Sequence, residues 1–119
     1  MKTIVLSIAV ALLLTSCNVF SSLNSNTSIK PNEQFLLGNN EHGKFHVTLK
    51  NVSNHPIEIH LAPINGGSYS YQTIAIGEVV STKVANNTVL VIENKSNEYA
   101  SVDLKVTGDL GLSMGYKNN

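Results

Sequence analysis

The chain has 119 residues, eight lysines against eight acidic residues for a formal net charge of zero, no arginine and one cysteine. This balance excludes a nucleic-acid reader, which needs a basic face and ordinarily the guanidinium fork, and it argues against electrostatic attachment to anionic lipid. The length suits one modest core, and a lone cysteine forms no disulfide within the chain, so stability has to come from packing.

In chain order, Lys2 introduces the apolar run Ile4–Leu14, followed by the small residues Thr15 and Ser16 and then Cys17. A positive start, a short apolar run and small residues before a cut make a secretory signal peptide over residues 1–16, too short to span a hydrocarbon core of about 30 Å. Leu14-Thr15-Ser16-Cys17 resembles the lipobox of bacterial lipoproteins. The resemblance covers residues 1–17. It implies that residues 1–16 are removed and that the Cys17 thiol carries a diacylglycerol, an anchor of about 0.8 kcal/mol per buried CH₂ that holds the protein on the membrane without spanning it. Asn18 is not the Asp that retains lipoproteins at the inner membrane of enteric bacteria. The resemblance therefore implies a cell-envelope location, at the outer membrane where the host has two.

Over Asn18–Asn32, nine of fifteen residues are Ser, Thr or Asn and the apolar residues have no period. Such a segment buries little, so residues 17–32 are expected to be the lipidated cysteine and a flexible tether reaching roughly 20 Å.

Residues 33–119 are expected to form the domain. They read as short strands: Gln34–Leu37, Lys44–Lys50, Ile57–Ala62, Ser68–Ile76, Glu78–Val84, Thr88–Glu93, Ala100–Thr107 and Leu110–Lys117. Between them, Gly38-Asn39-Asn40, Asn54-His55-Pro56, Asn65-Gly66-Gly67, Asn86-Asn87 and Gly108-Asp109 supply turn residues. No helical period is sustained, so the class is all-β, a small antiparallel sandwich of Greek-key type with seven or eight strands. Alternation turns Phe45, Val47 and Leu49 inward, and likewise Ile57, Ile59 and Leu61, and Val102, Leu104 and Val106. The unbroken run Val89-Leu90-Val91-Ile92 predicts a strand covered on both faces.

Val47–Leu61 and Leu90–Leu104 align without gaps at an offset of 43, each a strand, an Asn-x-Ser-Asn loop and an alternating strand, with four of fifteen positions identical. Duplication would place two like units in pseudo-symmetric positions. Shared turn chemistry accounts for the same residues, because Asn and Ser bond their own backbone in such loops. Strands of this kind around a short polar loop resemble part of the bacterial immunoglobulin-like sandwich.

Gly111-Leu112-Ser113-Met114-Gly115 matches the G-x-S-x-G nucleophile elbow, but no acid, histidine or room for a helix follows it, so it is read as a strand with one nearly flat face. If 44–50 and 57–62 form a hairpin aligning Leu49 with Ile57, His46 lies opposite His60 beside Glu58, a set that would hold a divalent ion. Solvated outer-face histidines are the ordinary alternative. Tyr69 and Tyr71 fall on one face of a strand, where exposed rings beside polar loops make a ligand-binding surface or simply cap a small core. The expectation is thus a lipid-anchored envelope module with no catalytic role and no cofactor, held to the membrane through Cys17 and binding a protein or a glycan. A small-ligand or metal carrier built on His46, Glu58 and His60 is the alternative.

Overall fold

The computed structural model describes residues 22–118. Cys17 and the lipobox lie outside them. The described chain is all-β, with nine strands: β1 (Leu23–Ile29), β2 (Glu33–Leu37), β3 (Phe45–Asn51), β4 (Ile57–Pro63), β5 (Tyr69–Ile74), β6 (Val79–Val84), β7 (Thr88–Asn94), β8 (Ala100–Gly108) and β9 (Met114–Asn118). They form two antiparallel sheets packed as a sandwich, in the orders β1-β8-β3-β6 and β5-β4-β7-β2-β9.

The pairing has a simple rule. The first strand pairs with the eighth, the second with the seventh, the third with the sixth and the fourth with the fifth. A chain folded back on itself in this way and rolled into two sheets is a jelly roll, a Greek-key sandwich whose strand order differs from the immunoglobulin one. β9 adds a fifth strand to one sheet by pairing with β2.

The faces follow the alternation. Phe45, Val47 and Leu49 on β3, Ile57, Ile59 and Leu61 on β4, and Val102, Leu104 and Val106 on β8 are buried between the sheets. Every residue of β7 is buried, as expected of a strand covered on both faces, and it is the middle strand of its sheet.

The tether expected over residues 17–32 is corrected where the structure describes it: β1 occupies Leu23–Ile29, so the sandwich includes residues ahead of 33. β1 pairs along its whole length with β8, from Leu23 opposite Val106 to Ile29 opposite Ala100. Its inward positions are Leu23, Ser25, Thr27 and Ile29, so only two of the four are apolar and no stripe is visible in the sequence. The two inward hydroxyls satisfy each other, Ser25 Oγ to Thr27 Oγ1 at 2.9 Å, which lowers the cost of placing them there. Outside, the Asn26 amide donates to Asp103 Oδ1 at 2.8 Å and Ser101 Oγ at 3.2 Å on β8.

The hairpin expected between 44–50 and 57–62 is also corrected. β3 crosses to the other sheet through the 52–56 loop, and β4 pairs with β5 and β7 instead. The last strand starts at Met114 rather than Leu110. Ser113, within the G-x-S-x-G run, precedes it in a loop, its N–H donating to Asn40 Oδ1 at 2.9 Å, and no helix follows among the described residues.

Candidate functional site

The outer face of the five-stranded sheet is organised in rows that the register fixes. One row runs Thr73, Glu58, Glu93, Gln34 and Lys117, from β5 across β4, β7 and β2 to β9. The adjacent row passes through His60, Val91, Leu36 and Gly115, with Tyr71 over its β4 end. From these two rows His60, Tyr71, Glu93, Gln34, Val91 and Leu36 line a groove of about 460 Å³ with an apolar floor and polar walls.

Glu58 and Glu93 lie directly opposite each other, an unfavourable placement for two carboxylates. Lys95 resolves it. Its Nζ reaches Glu58 Oε1 at 3.2 Å and Glu93 Oε2 at 3.5 Å. The hydrogen bond to Glu58, the Glu58 charge and then the Glu93 charge raise the lysine above its ordinary value of 10.5. Glu93 Oε1 also accepts from Gln34 Nε2 at 3.2 Å.

His60 is the unresolved member of this set. Its exposure is only 7%, and the Tyr71 ring stacks on it at a centroid distance of 4.5 Å and an interplanar angle of 21°. Its Nδ1 lies 3.6 Å from Glu93 Oε1, an ion-pair separation that is too long for a hydrogen bond. Among the described residues it is the one buried side-chain nitrogen or oxygen without a hydrogen-bond partner. Buried polar groups are nearly always paired, so an orphan at the wall of a groove is the kind of exception that marks a site.

The expected site residues are placed as follows. Tyr71 stands at the groove with 60% of its surface exposed. Tyr69 does not share its face. Between Ile59 and Leu61 of β4 the partner strand carries one extra residue, with Ser70 at φ 57°, so that Tyr69 falls opposite the inward Leu61 while Tyr71 covers the outward His60. A bulge of this kind re-aims side chains in the way the structure shows. The trio His46, Glu58 and His60 is not brought together: His46 pairs with Lys83 and Thr107 in the opposite sheet. No group of three His, Cys, Asp or Glu residues able to hold a metal ion occurs among the described residues. His60 also departs from the solvated outer-face reading, being covered by Tyr71.

Sequence reasoning missed Glu93, Gln34, Leu36 and Gly115 as parts of one surface. A partial signal exists for Glu93, which continues the outward parity of Val89 and Val91, but the two rows reach Gln34 and Gly115 only through β2 and β9. A second depression, of about 540 Å³, lies over the four-stranded sheet between Asn24, Asn26, Thr48 and Lys105. Among its polar side chains Asn26 bonds to Asp103, while Thr48 bonds to the neighbouring Ser81, and it holds no buried orphan.

No family model matches the chain, and no curated protein sequence matches it. Among solved structures the chain is similar to procruciferin, an 11S globulin from Brassica napus, with a TM-score of 0.54 and 13% identity over 79% of this chain. This chain spans 22% of the length of that one, and the likeness is one of fold alone. It is also similar to the mitogen derived from Yersinia pseudotuberculosis, with a TM-score of 0.44 and 15% identity over 74% of this chain and 86% of that one.

Proposed function

We propose that this protein is a lipid-anchored, noncatalytic binding module of the bacterial cell envelope, engaging a protein or a glycan through the groove beside Tyr71. The observation that carries the binding half is the buried, unpartnered Nδ1 of His60 at the groove wall. A fold selected for stability alone would place an apolar side chain there, since removing both members of an unmade hydrogen bond is near neutral or favourable. The module is read as noncatalytic because no hydroxyl or thiol is bonded to His60 Nδ1 and Glu93 is already held by Gln34 and Lys95.

The anchoring half is supported by the lipobox resemblance. With β1 starting at Leu23, six residue steps separate it from Cys17, a reach of at most about 20 Å, so the sandwich would stand close against the bilayer.

Two measurements test the reading. Metabolic labelling with an acyl precursor should tag the wild-type chain and not Cys17→Ala, and label retained by the variant would overturn the anchor. Affinity capture of native envelope fractions on the purified full chain should yield a protein or polysaccharide that Tyr71→Ala no longer retains. Equal retention by both would remove the groove from the function.

A further inference from the structure

We infer that the groove over the five-stranded sheet is a carbohydrate subsite, in which a sugar hydroxyl bridges His60 and Glu93 and Tyr71 packs on the face of the sugar ring. This deepens the binding-module reading and rests on it.

The polar geometry selects the chemistry. Nδ1 of His60 and Oε1 of Glu93 are 3.6 Å apart, with no hydrogen bond between them. A group that both accepts and donates completes such a pair: its oxygen accepts from an imidazole N–H while its proton goes to the carboxylate. A hydroxyl does both. A peptide carbonyl only accepts and a peptide N–H only donates, so each leaves one partner unmet. An anionic ligand would meet Glu93 and Glu58, and an ammonium group would meet Lys95, which already bridges both carboxylates.

The apolar geometry selects the shape. Tyr71, mostly in solvent, lies over the imidazole, so a hydroxyl reaching Nδ1 displaces the ring edge and leaves the ring to pack on C–H groups. Val91 and Leu36 supply an apolar floor. A pyranose, with apolar ring faces and a rim of hydroxyls, matches both requirements, and about 460 Å³ falls in the range of about 300–1,000 Å³ seen for small-ligand sites.

The test uses the full acylated chain in nanodiscs and the methyl glycosides of glucose, galactose and N-acetylglucosamine, with binding read by saturation-transfer NMR. At least one glycoside is expected to bind. His60→Phe keeps the stack on Tyr71 and removes the nitrogens, and it should weaken binding about tenfold, as leaving a bound hydroxyl one buried partner short does. Ala62→Leu, adding bulk to the groove lining, should weaken it comparably while leaving the His60 nitrogens in place. His60→Phe should melt at or above the wild-type temperature, a readout that a purely structural histidine would not give. Binding of none of the three glycosides at about 10 mM, tenfold above a Kd of about 1 mM, overturns the inference. So does wild-type affinity in His60→Phe, or a lower melting temperature for that variant. If no sugar binds while Tyr71→Ala still releases an envelope protein, the binding module stands and the sugar does not.

Discussion

Asn51 and Asn94, forty-three positions apart, make the same buried turn at two of the places where the chain crosses between sheets, after β3 and after β7. Each Oδ1 accepts the N–H two residues on, from Ser53 at 2.9 Å and from Ser96 at 3.1 Å. Each Nδ2 donates to the carbonyl four residues on, His55 at 3.0 Å and Glu98 at 2.7 Å. Each also reaches a distant strand end, Ile74 O from Asn51 at 3.1 Å and Ile29 O from Asn94 at 3.0 Å. One carboxamide thus holds its own loop and ties it to a neighbouring strand. The two loops meet, because Ser96 Oγ lies 3.1 Å from His55 Nε2. The internal echo in the sequence therefore marks equivalent positions in the jelly roll, β3 to β4 and β7 to β8.

Asn51→Ala and Asn94→Ala are each expected to destabilise the domain by about 2–4 kcal/mol, since each strips buried carbonyls of a donor. Asn→Asp at either position keeps the turn acceptor but sets a carboxylate against carbonyl oxygens, and should be no better than Ala. Urea unfolding decides it. An Asp variant as stable as wild type would mean that the Nδ2 bonds contribute nothing.

Leu90→Ala and Ile92→Ala are each expected to cost about 2–5 kcal/mol, the lost transfer energy plus that of the residual cavity. Both side chains are fully buried at 0% exposure on the central strand. Thermal melts unchanged in either variant would contradict that placement.

Strands of the core were legible because their inward positions are apolar at period two, as in Phe45-x-Val47-x-Leu49, or apolar throughout, as in Val89–Ile92. β1 was hidden because Ser25 and Thr27 fill inward positions and pair with each other, which erases the stripe while leaving the backbone ladder intact. The site was less legible for two reasons. His46 and His60 have the same parity on consecutive strands, and nothing in that pattern distinguishes a hairpin from a sheet crossing. Tyr69 and Tyr71 are two apart, which puts them on one face unless an extra residue intervenes, and Ser70 is that residue. Rows built from five strands are a property of register, which the chain specifies only through its completed pairings.

Gly38→Ala is expected to cost about 2–4 kcal/mol. Gly38 has φ +86°, and a Cβ there would come to 3.0 Å from His42 Nε2 and 3.3 Å from Phe45 Cε1. The imidazole is poorly placed to yield, because Nε2 lies 2.8 Å from Thr88 O and Nδ1 lies 2.6 Å from Gly43 O. Gly77→Ala provides the control: its φ is +76° but nothing lies within 4 Å, so it should show the left-handed penalty alone, about 1–2 kcal/mol. The difference between the two is the overpacking cost. At about 4–8 °C per kcal/mol for a domain of this size, calorimetry resolves it, and equal shifts for the two variants would remove the His42 contact from the account.

Asp109 sets the acid behaviour of the loop between β8 and β9. Its carboxylate accepts the Gly43 N–H at 2.6 Å and the Gly111 N–H at 2.8 Å. The bond from Gly43, then the bond from Gly111, hold the group below its ordinary value of 3.8. A carboxylate depressed on folding contributes stability that is fully present above its unfolded value and is lost as pH falls through the folded value. The contribution should therefore be intact at neutral pH and disappear below pH 3.8. Asp109→Asn tests the sign, because an amide oxygen carries no charge to lose. Wild type should be the more stable at neutral pH, and the gap should close as pH drops below about 4. Urea unfolding midpoints for the two proteins at several pH values measure the gap, and a difference that stays constant into the acid range would assign the loop's stability to shape rather than to the carboxylate charge.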